Sequence, residues 1–175
     1  VEPDVVLRYA MLLHDAGKPD CKTTDQEGID HFNRHPLRSK EIARQVLRRL
    51  KFDNDTVKKV VTLVEWHDWR FSSSKQVNKK GVRRLANQIG TQMCYLLFQV
   101  QRADIMAQSD YQQEEKLEIL EKTRLLLDEI VADNECLTLK ELAMDGRGLM
   151  ELGIKPGKEM GRILNLLLER VLEQQ

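Results

Sequence analysis

All four histidines of this 175-residue chain lie in its first 67 positions, in a pattern that suits metal chemistry: His14 beside Asp15, His31 close to His35, and His67 beside Asp68. Imidazole nitrogen with carboxylate oxygen is the donor set of divalent ions that activate water, and hydrolytic sites of this kind leave coordination positions open for water or phosphate. His14 and Asp15 differ by about 100° around a helix of ~3.6 residues per turn. One ion can therefore meet both only at a terminal turn, and Gly17 supplies such an end. A distant acid joins the same chemistry: Met93, Leu97, Val100, Asp104 and Ala107 fall at helical spacing, so Asp104 sits on a stripe that faces a core and needs a partner there.

Helices must position these groups. Apolar residues make up 41 % of the chain, charged residues 32 % and aromatic residues 5 %, with 9 Gly and 4 Pro. Stretches rich in Leu, Glu, Lys, Arg and Gln favour helix over sheet, so the expected fold class is all-α. A first helix runs from Pro3 to about Ala16, with Val5, Tyr9, Leu12, Leu13 and Ala16 inward, and Lys18 to Arg34 reads as a loop. Pro36 opens a second helix on Ile42, Ala43, Val46, Leu47 and Leu50. Asn54-Asp55 caps a third that leads to Trp66-His67-Asp68-Trp69. Asp53-Asn54-Asp55 has the carboxylate spacing of a metal pair, yet it stands where a helix begins and reads as capping. A fourth helix ends at Gly90, Thr91 caps a fifth through Asp104, and another spans about Gln112 to Ala132. The break at Asp133-Asn134-Glu135 divides a helical domain, 1–132, from a small helical C-terminal subdomain, 133–175, whose last helix starts at Pro156. That amphipathic helix can pack internally or pair two copies in a homodimer.

Zero net charge conceals asymmetry. Residues 31–104 carry 16 basic and 6 acidic side chains, against 3 and 7 before them and 9 and 15 after them. Clustered cations neutralise phosphates, and the candidates are Lys79, Lys80, Arg83 and Arg84 at the start of the fourth helix, with Arg34 and Arg38 near the histidines. No segment has the roughly 20 apolar residues of a membrane span, so no membrane partner is expected. Cys21, Cys94 and Cys136 form neither a disulfide framework nor a CxxC pair, which points to a reducing, cytoplasmic setting.

The joint pattern of His14-Asp15, followed by Gly17-Lys18, with Asp104 far downstream, resembles the HD superfamily, whose members are helical and hold a divalent metal through a first His, a His-Asp doublet and a distant Asp. The resemblance implies a site for Mg, Mn, Ni or Co on His14, Asp15 and Asp104, with His35 and His67 at the optional positions of two-metal members. It implies Asp15 and Lys18 as catalytic groups, Lys18 neutralising charge that develops on phosphate. The first His of the pattern has no counterpart in residues 1–13. Either the chain is a segment of a longer protein, or His31 or His35 substitutes.

A second resemblance covers nearly the whole chain. Asp15-Ala16-Gly17-Lys18-Pro19, His31-Phe32-Asn33-Arg34-His35, Arg102-Ala103-Asp104 and the run from Glu141 to Gly157, with Leu152-Gly153-Ile154-Lys155-Pro156-Gly157 the most distinctive, are similar to the C-terminal part of bacterial tRNA nucleotidyltransferases, CCA-adding or poly(A)-polymerase-like enzymes that carry an HD domain. Gly148 departs from the Asp common there. The resemblance implies a partner in tRNA backbone, contacted by the cations named above, and an upstream nucleotidyltransferase head domain. The Gly-Ser element with paired aspartates that such a head needs does not occur in these residues. Two other readings remain open from sequence: a stand-alone metal-dependent phosphohydrolase of nucleotides or cyclic phosphodiesters, and an HD scaffold that binds no metal.

Overall fold

The computed structural model of the chain describes residues 3–110 and 112–174. Helix α1 (Val5–Leu13) opens where the Asp4 carboxylate accepts the Leu7 amide at 2.9 Å, and Leu7, Ala10 and Leu13 form its buried face. It is shorter at both ends than expected. Asp4 rather than Pro3 defines the start, and the helix gives way to turns from His14 to Gly17. The stretch expected to be a loop contains a single helical turn, α2 (Lys18–Cys21), and a two-stranded antiparallel hairpin of β1 (Thr23–Thr24) and β2 (Asp30–His31), with Thr23 opposite His31. Asp25 shapes the hairpin turn by accepting the amides of Glu27 and Ile29, and Gly28 takes the left-handed conformation, φ 80°, that the turn demands.

Helix α3 (His35–Arg49) follows, then α4 (Asn54–Trp66), whose cap is Asp53, accepting the Thr56 amide. A 3-10 turn at Ser74–Gln76 precedes α5 (Lys79–Ile89), capped by Asn78. Next come α6 (Thr91–Ala107), α7 (Gln113–Ala132), α8 (Gly146–Glu151), capped by Asp145, and α9 (Lys158–Gln174). The all-α class therefore holds, with one small hairpin added. No helix among the described residues is long and apolar enough to cross a membrane.

Contacts gather the chain into two units, Val1–Gln76 with Gln92–Glu121, and Val77–Thr91 with Lys122–Gln175. They interleave along the chain, whereas the sequence reading divides it once, after Ala132. In the first unit α4 packs on α3 and on α1. Val57, Val60, Val61, Leu63 and Val64 are buried with Leu7, Ala10, Leu13, Ala43 and Leu47, and Leu97, Phe98 and Val100 of α6 complete the core. At about 1.5–3 kcal/mol for each large apolar side chain buried, these faces fix the helices whose ends carry His14, His35 and His67. In the second unit α9 packs on α5 and α8, over a core of Val82, Leu85, Ala86, Leu127, Ile130, Leu149, Leu168 and Leu172.

Candidate metal centre

Each of the three clustered histidines stands at a helix end. His14 is the C-cap of α1, His67 the C-cap of α4, and His35 the first residue of α3, preceded by Arg34 in the left-handed conformation, φ 63°. In all three rings Nδ1 lies against the carbonyl three residues back: Met11 for His14 at 2.8 Å, Phe32 for His35 at 2.9 Å, Val64 for His67 at 2.7 Å. A carbonyl can only accept, so each Nδ1 carries a proton and each ring turns its Nε2 toward the cluster. For His14 and His67 these bonds also use carbonyls that a helix C-terminus leaves free.

The consequence is a close-set group of ring nitrogens and carboxylate oxygens. His35 Nε2 and His67 Nε2 are 3.2 Å apart. Asp15 Oδ1 lies 3.2 Å from His35 Nε2 and 3.6 Å from His67 Nε2, and this buried oxygen accepts no hydrogen bond from any described residue. Asp15 Oδ2 is 3.3 Å from His14 Nε2 and receives Lys18 Nζ at 2.6 Å. Asp104 Oδ1 stands 3.4 Å from His14 Nε2, while its Oδ2 accepts Gln108 Nε2 at 2.8 Å. Asp68 Oδ2 is 3.4 Å from His35 Nε2. Two overlapping triplets of donor atoms result, His14–Asp15–His67 and His35–His67–Asp68, sharing His67. The Asp15 carboxylate sits between them with one oxygen toward each side.

The electrostatics ask for positive charge. Burial pulls the His14 pKa down, but the hydrogen bond with Asp104, the Met11 carbonyl and the charges of Asp15 and Asp104 outweigh it, and the value rises. The His14 hydrogen bond holds the Asp104 carboxyl below its usual range against the cost of burial, with Gln108 and Arg70 adding to the effect. Burial, with repulsion from His14 and His35, lowers the His67 pKa despite Val64 and Asp68, so that ring stays neutral. The C-termini of α1 and α4 add negative partial charge, which the N-terminus of α3 partly offsets. Donor atoms held at bonds of ~2.1 Å and right angles around one ion are about 3 Å apart. The spacings of 3.2–3.6 Å, the orphaned Asp15 oxygen and the facing ring nitrogens fit a divalent cation.

Of the residues singled out from sequence, His14, Asp15, His35, His67 and Asp104 thus come together, and Lys18 joins them through Asp15. His31 does not: it lies exposed on β2, 2.8 Å from Asp25, so it cannot stand in for a missing ligand. The phosphate-facing cations fare differently. Arg83 is buried at 2 % exposure and bonded to Glu135, which corrects its assignment to a nucleic-acid surface: the side chain is consumed inside its own unit. Lys79 faces Glu129, Asp133 and Glu135; Lys80 pairs with Glu173 at 3.0 Å, and Arg84 with Glu173 at 3.1 Å. Arg38 is held by Asp20 at 2.6 Å and Glu41 at 3.0 Å, and Arg34 stays exposed at the head of α3.

Three groups have positioning roles that the sequence does not reveal. The Gly17 amide donates to Ser39 Oγ at 2.9 Å, and a Cβ on Gly17 would stand 2.6 Å from Ser39 N and 2.8 Å from His35 O, so only glycine lets the doublet turn touch the start of α3. Buried Gln101 donates through Nε2 to the carbonyls of His67, at 3.1 Å, and Trp69. Its signal was present, since Gln101 follows Leu97 by four on the stripe that flagged Asp104. Arg70 reaches Asp68 at 3.4 Å and Asp104 at 4.0 Å.

The family model for tRNA nucleotidyltransferase domain 2 matches residues 35–175. Among curated proteins, the A-adding tRNA nucleotidyltransferase of Deinococcus radiodurans is 27 % identical over 170 residues, 96 % of this chain and 38 % of the relative. The CC-adding tRNA nucleotidyltransferase of Thermus thermophilus is 29 % identical over 173 residues, 98 % of this chain and 37 % of the relative. The chain spans well under half the length of both. No solved structure gives a significant match. With the family model covering most of the chain, this protein belongs to the tRNA nucleotidyltransferase domain 2 family.

Proposed function

We propose that the chain is the HD-type helical portion of a tRNA nucleotidyltransferase-like protein, that it contacts tRNA backbone, and that its histidine–carboxylate cluster holds a divalent ion, Mg, Mn, Ni or Co, for phosphoester hydrolysis. The observation that carries the metal reading is the convergence of His35 Nε2 and His67 Nε2 on the unpartnered Oδ1 of Asp15, with His14 Nε2 facing the other oxygen of the same carboxylate. The tRNA reading rests on family membership and on the names of the two relatives. Nucleotide addition is assigned to a head domain outside these residues, since they contain no Gly-Ser element with paired aspartates.

A bound divalent ion supplies Lewis acidity, acidifying water and drawing charge from a phosphoryl oxygen. His14, Asp15 and Asp104 hold one side of the site, and His35, His67 and Asp68 the other. Lys18, bonded to Asp15 and partly exposed, orients that carboxylate and meets negative charge that builds on a phosphoryl group at the rim. Arg70 does the same from the Asp68 side. Asp15 would be the ligand that both sides share, its Oδ1 facing His35 and His67 and its Oδ2 facing His14.

The test is turnover of a phosphodiester such as bis(p-nitrophenyl) phosphate and of 2′,3′-cyclic nucleotides by the purified chain with each of the four ions. Metal-dependent turnover that Asp15→Asn abolishes is expected. Equal turnover by wild type and Asp15→Asn, or none with any ion, refutes the hydrolase reading.

A further inference from the structure

The cations on α5 are occupied by acids of their own unit, so a phosphate backbone must be met elsewhere. The groove between α3 and α4 offers what α5 lacks. It encloses about 330 Å³ and is lined by Lys40, Arg44 and Arg48 from α3, with Lys58, Thr62 and Glu65 from α4. Lys40 is tied to Glu65 at 2.6 Å. No carboxylate among the described residues lies within 4 Å of Arg44, Arg48 or Lys58, and the latter two are exposed. Four cations thus face one acid.

Their arrangement selects the ligand. Lys40, Arg44 and Arg48 recur every four residues, one side of the helix, in steps of about 6 Å over about 12 Å. A row of charges suits a repeating anion rather than one isolated phosphate. Lys58 rises from the opposite wall, and the Thr62 hydroxyl adds a donor between them. A protein partner would need an apolar anchor, but the two apolar lining residues, Val57 and Val61, are buried at 7 % and 5 % exposure and belong to the core.

We infer that the α3–α4 groove binds the phosphodiester backbone of RNA through Arg44, Arg48 and Lys58, an inference that rests on the tRNA-contacting reading above and moves the contact away from α5. Backbone binding releases counterions, so the logarithm of affinity falls with the logarithm of salt by about 0.7–0.9 per phosphate neutralised. Removing three cations therefore flattens the slope by about 2–3. If the affinities converge near 1 M salt, that is a loss of about 100- to 500-fold at 0.1 M.

The experiment measures fluorescence anisotropy of a labelled tRNA transcript against the 1–175 chain from 0.05 to about 0.5 M salt, for wild type, for Arg44→Glu with Arg48→Glu and Lys58→Glu, and for the milder Arg44→Gln, Arg48→Gln, Lys58→Gln set. Melting curves report folding, and Lys80→Gln with Arg84→Gln is the α5 control. A flattened slope in both groove variants with the α5 control near wild type is expected. Salt-dependent binding by wild type that the glutamine set leaves unchanged overturns the groove alone. No binding by wild type overturns the groove and the tRNA-contacting reading together, leaving the metal reading standing. Loss of binding to phosphatidylserine vesicles with intact RNA binding reassigns the groove to a membrane surface and overturns the inference.

Discussion

Substituting Gly17 by alanine isolates the contact that aligns the His14–Asp15 turn with α3. Gly17 has φ −87°, which alanine adopts freely, so the effect arises from space alone. The added Cβ would lie 2.6 Å from Ser39 N, 2.8 Å from Arg38 Cβ and 2.8 Å from His35 O. Two of these are backbone atoms of α3 that cannot swing aside, so the turn must retreat by several tenths of an ångström and stretch the bond from the Gly17 amide to Ser39 Oγ. Overpacking of this kind costs about 1–3 kcal/mol. In a chain of this size, where 1 kcal/mol moves the melting point by ~2–4 °C, Gly17→Ala should lower Tm by about 2–12 °C. The same retreat carries Asp15 away from His35 and His67, and outer-shell changes of this size lower metal affinity about 10- to 100-fold. Thermal melts followed by circular dichroism, with and without cobalt, and a cobalt titration read both effects. Wild-type Tm together with wild-type cobalt affinity in Gly17→Ala would refute the claim that this close approach positions the doublet.

Four further outcomes follow from other parts of the chain. Gln101→Leu should leave the carbonyls of His67 and Trp69 without this donor, costing about 1–3 kcal/mol for the buried His67 carbonyl, and weaken cobalt binding; melts and titration check it, and an unchanged affinity would show that the His67–Trp69 turn holds itself. His67→Ala should reduce cobalt affinity more than His14→Ala, since His67 alone is common to both donor triplets; isothermal titration giving the opposite order contradicts the shared role. Glu135→Gln should destabilise by about 3 kcal/mol because Arg83 is left buried without its counter-charge. Arg83 bonding holds the Glu135 carboxyl below its usual range, so the pair's contribution is complete above that range and fades as pH falls through the lowered value; Glu135→Gln should flatten the acid side of a Tm–pH curve, and a parallel curve would contradict it.

Much of the helical frame is legible in the sequence because α3, α4, α5 and α6 carry apolar residues at helical spacing, and the core they build is the one the spacing implies. The site was readable for a related reason. Asp104 on an apolar stripe, and His14 beside Asp15 at a helix end, are local statements that folding simply brings together. What stayed hidden is pairing between distant segments. Periodicity reports that Arg83 falls within α5 but not that Glu135 waits beside it, so a basic run looked available for phosphate when it was already neutralised. The turn of α2 and the hairpin of β1 and β2 are too short to leave a period, and Gly17 required a neighbour, Ser39, that only the fold supplies. The primary standing given to the doublet also changes, because geometry places His67 in both triplets while sequence made it an optional addition.

Anomalous diffraction from crystals of the chain grown with cobalt decides whether the histidine–carboxylate cluster holds an ion. A peak bonded to His67 Nε2 and to the Asp15 carboxylate is expected, with His14 and Asp104 or His35 and Asp68 completing the shell. A map without such a peak, with Asp15 Oδ1 hydrogen-bonded to a protonated imidazole instead, would contradict the metal reading.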